Sequence, residues 1–182
     1  MIKLLDLLKE EDSPFVSRGG KERVEAYSLK RKVEAENKIQ QYIKNGMKGN
    51  LNLRYISITS LPDDLTRVGG FLDLSGTKIT SLPSNLTKVK GDLSLYSTPI
   101  TSLPKNLTVG GFLDLYGAPI TSLPDNLSVK GNLNIYGTKI TSLPDNLNVG
   151  GNLSLKDTPL SKKYSKEEIK AMVPNVKGEI YI

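Results

Sequence analysis

The stretch GDLSLYSTPITSLPKNLTVG at residues 91–110 decides the fold, because near-copies of it fill most of the chain. Each copy contains Gly-x-Leu-x-Leu, then Thr-x-Ile-Thr-Ser-Leu-Pro, then Asn-Leu-x-Val. Aligned on the glycine, the steps between copies are 21, 21, 20, 20 and 20 residues, and the copies begin at Gly49, Gly70, Gly91, Gly111, Gly131 and Gly151. Apolar residues at fixed offsets in so regular a repeat predict a solenoid, in which each copy buries its apolar side against its neighbours.

Within each copy, the alternation in Gly-x-Leu-x-Leu-x predicts a short strand with leucines inward and the x residues outward. Stacked strands then form one parallel sheet whose register the repeat itself sets. The Ser-Leu-Pro phrase predicts an extended or turn conformation on the convex side, since proline fixes the backbone there. Threonines where the chain leaves the strand are predicted to bond the backbone of the adjacent turn, namely Thr77, Thr98, Thr138 and Thr158.

Four segments follow from this repeat. Residues 1–20 are predicted to be a flexible amphipathic segment, and residues 21–48 a helix that caps the first turn, with Leu29, Val33, Ile39, Tyr42 and Ile43 on one face. Residues 49–160 hold the repeats. Residues 161–182 are predicted to be a second cap, with a helix that opens at the capping box Ser165 to Glu168 and a seventh strand that restates the repeat phrase.

Composition narrows the function classes. The 182 residues include no Cys and no His, which excludes thiolate nucleophiles, disulfides and imidazole bases. No apolar run is long enough to span a bilayer, and residues 1–10 are too short and too interrupted for a signal peptide. The formal charge is +6, but the basic residues are dispersed, which argues against nucleic acid as the main partner. We expect a non-enzymatic chain without metal or cofactor.

The outward strand positions form the candidate binding surface. Tyrosines at the same offset are predicted to stack in a column, with two exposed phenylalanines and three carboxylates beside them: Tyr96, Tyr116, Tyr136, Phe71, Phe112, Asp73, Asp92 and Asp114. Amphipathic rings among small polar groups are typical of recognition surfaces, and the carboxylates would select basic groups on a protein partner. The alternative is that the stacked rings only stabilise the sheet. Exposed phenylalanines would also suit self-association.

The phrase Leu72-x-Leu74-x-x-Thr77-x-Ile79 resembles the leucine-rich repeat family, whose pattern is Leu-x-x-Leu-x-Leu-x-x-Asn-x-Leu, with Thr in place of Asn. The Leu-Pro-x-x-Leu that follows is similar to short repeats of bacterial effectors that carry a ubiquitin-ligase domain, but those ligases act through a Cys that this chain lacks. Residues 40–182 resemble small leucine-rich proteins of large tailed bacteriophages. The resemblance implies an α/β solenoid encoded by a phage, acting in the host cytoplasm or the virion.

The amino terminus, MIKLLDLLKE, resembles the leucine-rich segments that target proteins of T-even-like phages to the capsid and are removed after Leu-x-Glu. The candidate processing site is Leu8, Lys9 and Glu10, with cleavage after Glu10. The alternative is an amphipathic helix that docks on the solenoid or on a second copy.

Three functions therefore stay open. The chain is foremost a module that binds a host or virion protein through its concave sheet. It is otherwise a structural or capsid-packaged virion component tethered by residues 1–20. The third function is nucleic-acid binding through the basic helix, at Arg23, Lys30, Arg31, Lys32 and Lys38.

Overall fold

The chain is a parallel β-solenoid of about five turns with few helices, seen in a computed structural model that describes residues 20–182. The candidate processing site at Leu8, Lys9 and Glu10, with the segment before residue 20, lies outside the described residues. Strands of two residues each recur once or twice in every turn and pair only in parallel. They are β1 (Leu51–Asn52), β2 (Arg67–Val68), β3 (Leu72–Asp73), β4 (Lys88–Val89), β5 (Leu93–Ser94), β6 (Thr108–Val109), β7 (Leu113–Asp114), β8 (Ser128–Val129), β9 (Leu133–Asn134), β10 (Asn148–Val149), β11 (Leu153–Ser154) and β12 (Ile180–Tyr181).

The main sheet has seven strands in the order β1-β3-β5-β7-β9-β11-β12. Its register is the one that the repeat predicts, because equivalent leucines pair from turn to turn, as Leu93 does with Leu113. The leucines are fully buried and point into one continuous core. The expected seventh strand is present and pairs with β11, so that Tyr181 lies beside Ser154.

A second sheet, which the sequence analysis did not predict, runs along the return segment of each turn. Its five strands have the order β10-β8-β6-β4-β2 and consist of the residue before each repeat valine and the valine itself. The valines Val68, Val89 and Val109 are fully buried, while the residue before each of them points outward. The return segment is therefore not merely extended, since it carries its own ladder of backbone hydrogen bonds.

The threonine ladder satisfies buried carbonyls. Thr98 Oγ1 donates to the Leu95 carbonyl at 2.7 Å, and Thr77, Thr138 and Thr158 repeat this bond in their own turns at the same distance. The acceptor lies three residues earlier in the same turn, not in the adjacent turn as predicted. Because the threonines are almost fully buried, each hydroxyl needs this partner, and the bond fixes the chain where it leaves the strand.

The residue before each position of the threonine ladder has a positive φ angle, in the left-handed region. This column contains glycine in three turns, with φ between 65° and 68°, and a residue with a side chain in three others: Gly76, Gly117, Gly137, Tyr55, Ser97 and Asp157. A side chain in this region of φ costs conformational energy, so glycine is the less strained choice.

We expect Gly117→Ala to lower the free energy of unfolding by about 1 kcal/mol through backbone strain alone. At Gly117 the φ angle is +68°, and an added Cβ would meet no atom within 4 Å. Chemical denaturation measures the change. Ser97→Ala is the matched control, because Ser97 already carries a side chain in this conformation. Equal losses in both variants would contradict the strain argument.

Helices lie at both ends of the described chain. Helix α1 (Gly20–Lys44) packs through its second half, where Ala35, Ile39 and Tyr42 are buried against the core. Leu29, which the sequence analysis places on the same helix face, is 40% exposed, so the contact with the core does not extend to it. The Tyr42 hydroxyl accepts a hydrogen bond from the Gly69 N–H at 2.9 Å. In the next turn the equivalent N–H, that of Lys90, donates to the Val68 carbonyl, so Tyr42 takes the place of a valine carbonyl at the first turn.

At the other end, α2 (Pro159–Lys163) and α3 (Lys166–Met172) precede β12. The capping box expected at α3 is present, with Ser165 and Glu168 bonded reciprocally. No helix in residues 20–182 has the length and the apolar character that crossing a bilayer requires.

Candidate functional site

The tyrosine column predicted from the repeat forms on the outer face of the main sheet. The ring centroids of Tyr96 and Tyr116 lie 5.1 Å apart with planes 21° apart, and those of Tyr116 and Tyr136 lie 4.9 Å apart at 9°. Stacking covers ring faces inside the column, so edges and hydroxyls are what solvent meets. Tyr96 and Tyr116 are both 38% exposed, and the sheet spacing of about 4.8 Å is what brings such rings into contact.

A groove of about 370 Å³ lies beside the carboxyl-terminal two tyrosines of this column. Tyr116 and Tyr136 are on its lining together with Phe112, and short polar side chains complete it: Asn132, Asn134, Asn152 and Ser154, with Leu133 and Tyr181. Three of the predicted site residues thus share one concave feature. A groove lined by aromatic rings and a few polar groups is the usual form of a binding site.

The asparagines in the groove are partly committed to the backbone. Asn132 Oδ1 accepts the Asn152 N–H at 2.8 Å, and Asn152 Oδ1 accepts the Glu179 N–H at 2.8 Å. Both bonds use only the carbonyl side of the amide. Within residues 20–182 the Nδ2 groups of Asn132 and Asn152 have no hydrogen-bond partner, so they are donors available to a ligand.

The two phenylalanines are half-buried, and the prediction that they stand exposed is therefore only partly right. Phe112 is on the groove lining, whereas Phe71 directly precedes β3, two strands earlier in the sheet. Asp92 separates them in the same column. The N–H of each phenylalanine is bonded to the Asx side chain of the preceding turn, namely Asn50 for Phe71 and Asp92 for Phe112.

The three carboxylates have structural bonds that the sequence analysis did not foresee. Asp92 Oδ1 accepts the Phe112 N–H at 2.7 Å, and Asp73 Oδ1 accepts from the backbone N–H and the hydroxyl of Ser75. Asp114 Oδ1 accepts the Tyr116 N–H and the amide of Asn134, at 3.1 and 2.9 Å. One oxygen of each is thereby used within the sheet, and only the other is available to a basic partner.

Two pKa values in this surface depart from their ordinary range. Burial raises the pKa of Asp114, and its bonds to Tyr116 and Asn134 oppose that rise. A hydrogen bond to the Asp157 carboxylate, together with its negative charge, raises the pKa of the Tyr136 phenol, because both favour the protonated hydroxyl. In residues 20–182 no three acidic side chains gather into a group that suits a metal ion; Asp73 and Asp114 lie in one row with Ser94 between them, whereas Asp92 lies in the neighbouring row with the phenylalanines.

Tyr181 and the polar groove residues were not among the predicted site residues. Asn132, Asn134, Asn152 and Ser154 lie at the outward strand offsets, so the repeat does place them on this face. Tyr181 reaches the groove because β12 continues the sheet after a 27-residue step from Gly151 to Gly178. The restated phrase Gly-x-Ile-x was the signal that could have found it.

A scan against protein-family models finds none that matches this chain, and no curated protein matches it.

Proposed function

We propose that the chain is a non-enzymatic leucine-rich repeat module that binds another protein through the groove at Phe112, Tyr116 and Tyr136. The observation that carries the proposal is the groove itself, a concave, largely apolar feature beside a row of aromatic rings. Its volume of about 370 Å³ lies within the range of ligand-binding clefts and leaves room for more than one side chain of a partner.

The energetics favour recognition over a merely structural role for the rings. The tyrosines lose little further freedom on binding, because stacking already holds them at centroid distances near 5 Å. Rings that only stabilised the sheet would need no groove beside them. The Nδ2 donors of Asn132 and Asn152 suit backbone carbonyls of an extended partner segment, and Asp114 suits a basic side chain at the groove edge.

The proposal also assigns roles to the elements at the two ends of the solenoid. In it, α1 caps the first turn of a leucine-rich repeat array, and α2, α3 and β12 cap the last, which keeps the ends of the sheet from pairing further. The resemblance of the repeat phrase to phage proteins supports a phage origin, with a host or virion protein as partner. Action in the host cytoplasm or the virion would follow, with residues 1–20 as the tether in the second case.

The test is an affinity pull-down from host lysate and from phage particles, with the intact chain beside a Tyr96→Ala, Tyr116→Ala, Tyr136→Ala variant. Tyr27→Ala is the matched control, since Tyr27 is 65% exposed on α1 and far from the groove lining. A protein held by the intact chain and the control but lost by the triple variant supports the proposal. Equal capture by all three contradicts it. Capture of capsid proteins that disappears on deletion of residues 1–20 supports the virion-component alternative.

For the captured partner, we expect Tyr116→Ala alone to weaken binding by about 2 kcal/mol, or roughly 30-fold, because central aromatic anchors dominate interface energies. Isothermal titration measures the change in Kd. The free energy of unfolding should fall by about 1 to 2 kcal/mol, because Tyr116 stacks on both Tyr96 and Tyr136. A loss of stability with an unchanged Kd would favour the purely structural role.

A further inference from the structure

Lysine occupies every second position of one row that runs the length of the solenoid. The row consists of the residue directly before the glycine that opens each copy. Lysine and glycine alternate strictly along it: Lys48, Gly69, Lys90, Gly110, Lys130, Gly150 and Lys177. Backbone bonds hold the row in register. The N–H of Lys90, Lys130 and Lys177 each donates at 2.9 Å to the valine carbonyl of the preceding turn.

The alternation has a steric cause. A Cβ on Gly110 would overlap the Lys90 carbonyl oxygen, and one on Gly150 would overlap that of Lys130. A Cβ on Gly69 would lie 2.6 Å from the Met47 carbonyl oxygen and 3.1 Å from the Lys48 Cα. Each lysine turn therefore requires glycine in the next turn, and the lysines are spaced two strands apart. With strands about 4.8 Å apart, neighbouring lysines are about 10 Å apart and the row spans roughly 29 Å.

The lysines in this row are exposed and carry uncompensated charge. Lys48, Lys90, Lys130 and Lys177 have no ion pair within residues 20–182. The outward positions of the adjoining second sheet add Arg67 and Lys88 and contain no acid, the others being Thr108, Ser128 and Asn148. Among the residues that directly border the row, acidic side chains occur only on the side of the main sheet, as Asp92 and Glu179.

Both carboxylates on that border have a partner within the protein; Asp92 keeps its negative charge, whereas the charge of Glu179 is compensated. Asp92 accepts the Phe112 N–H, and Glu179 forms an ion pair with Lys166 at 2.9 Å. The dispersed charge of the linear sequence thus becomes a straight basic strip, made of the lysine row with Arg67 and Lys88. Charge of one sign along a line attracts a linear anion.

We propose that the basic strip binds the phosphodiester backbone of a nucleic acid. Flexible lysine stems at about 10 Å intervals can each reach a phosphate of a backbone that runs along the row. Hydroxyl and amide groups between them, on Thr108, Ser128 and Asn148, are further phosphate donors. The strip is distinct from the groove and from the amino-terminal helix, so it stands without the proposed protein-binding function.

The residue composition of the strip favours a nucleic acid over an anionic membrane as its partner. Surfaces that bind membranes combine basic residues with exposed apolar anchors, and the strip contains only lysine, arginine, glycine and small polar residues. It also contains no aromatic residue on which bases could stack. Recognition is therefore electrostatic and independent of base sequence.

The experiment is a fluorescence anisotropy titration of the full chain against a labelled 24-base-pair DNA duplex at several salt concentrations. The test variant replaces Lys48, Lys90, Lys130 and Lys177 by glutamine. The control replaces Lys78, Lys105, Lys139 and Lys163, which lie outside the strip, so that both variants fall from +6 by four charges to +2. We expect the test variant to lose on the order of 30-fold or more in affinity, and its slope of log K against log salt to become shallower by about 3.

The control variant should stay within about threefold of the intact chain, because it keeps every phosphate contact of the strip. Equal weakening of both variants would show that only net charge matters and would overturn the proposal. Absence of duplex binding at low salt by the intact chain would also overturn it. So would cosedimentation with vesicles of anionic phospholipid in preference to the duplex. Circular dichroism of each variant checks that the fold is kept.

Discussion

Replacing Gly110 by alanine is expected to lower the free energy of unfolding by about 3 kcal/mol, the largest cost we expect for the addition of one methyl group. The added Cβ would overlap the Lys90 carbonyl oxygen, which is backbone and cannot rotate away. Relief requires this turn to move away from the preceding one, and this strains the bonds from the Gly110 N–H to the Val89 carbonyl and from the Gly111 N–H to the Gly91 carbonyl. Urea denaturation followed by circular dichroism measures the loss.

Lys90→Ala is the matched control for this prediction. It lies in the same row, already carries a Cβ and is exposed, so its substitution should change stability by no more than about 0.5 kcal/mol. If Gly110→Ala were as mild as the control, the turns would not be in close contact at this row, and the steric cause of the lysine and glycine alternation would be wrong.

The main sheet could be predicted because every copy repeats the same inward and outward offsets. The pairing of Leu93 with Leu113 follows from that identity alone, since a slip of one residue would turn the leucines outward. The second sheet could not be predicted in the same way. The apolar Leu and Val of its return segments are separated by two residues in Leu86–Val89 but by one in Leu107–Val109, so no constant period marks a strand there.

The lysine row shows a different limit of sequence reasoning. Its alternation with glycine is visible in the printed sequence, but the reason is the approach of one backbone to the next, which only the structure reveals. The tyrosine column was predictable because Tyr96, Tyr116 and Tyr136 share one offset. The bonds of Asp73, Asp92 and Asp114 were not, because an outward carboxylate at a turn can bond the backbone as readily as a partner.

Leu133→Ala is expected to cost about 3 kcal/mol of stability, because it leaves a cavity in a core position that is only 1% exposed. Leu133 pairs in register with Leu113 and Leu153, and it also lies on the groove lining. In a solenoid each turn contacts only its neighbours, so damage at a central strand uncouples the turns on either side. Partner affinity should therefore fall together with stability, as hydrogen exchange and titration on one sample can show.

Comparison of Leu133→Ala with Tyr116→Ala distinguishes a residue that holds the groove in shape from a residue that contacts the partner. Tyr116→Ala is expected to weaken binding while leaving most of the stability, whereas Leu133→Ala should lose both, and Leu133→Ile, which keeps the side-chain volume, should restore most of each. Leu51→Ala is the control for position, because Leu51 is buried in β1, at the end of the sheet away from the groove, where loss of packing frays that end only. If Leu133→Ala lost stability but kept full affinity, the partner would bind elsewhere than over β9, and the groove would not be the binding site.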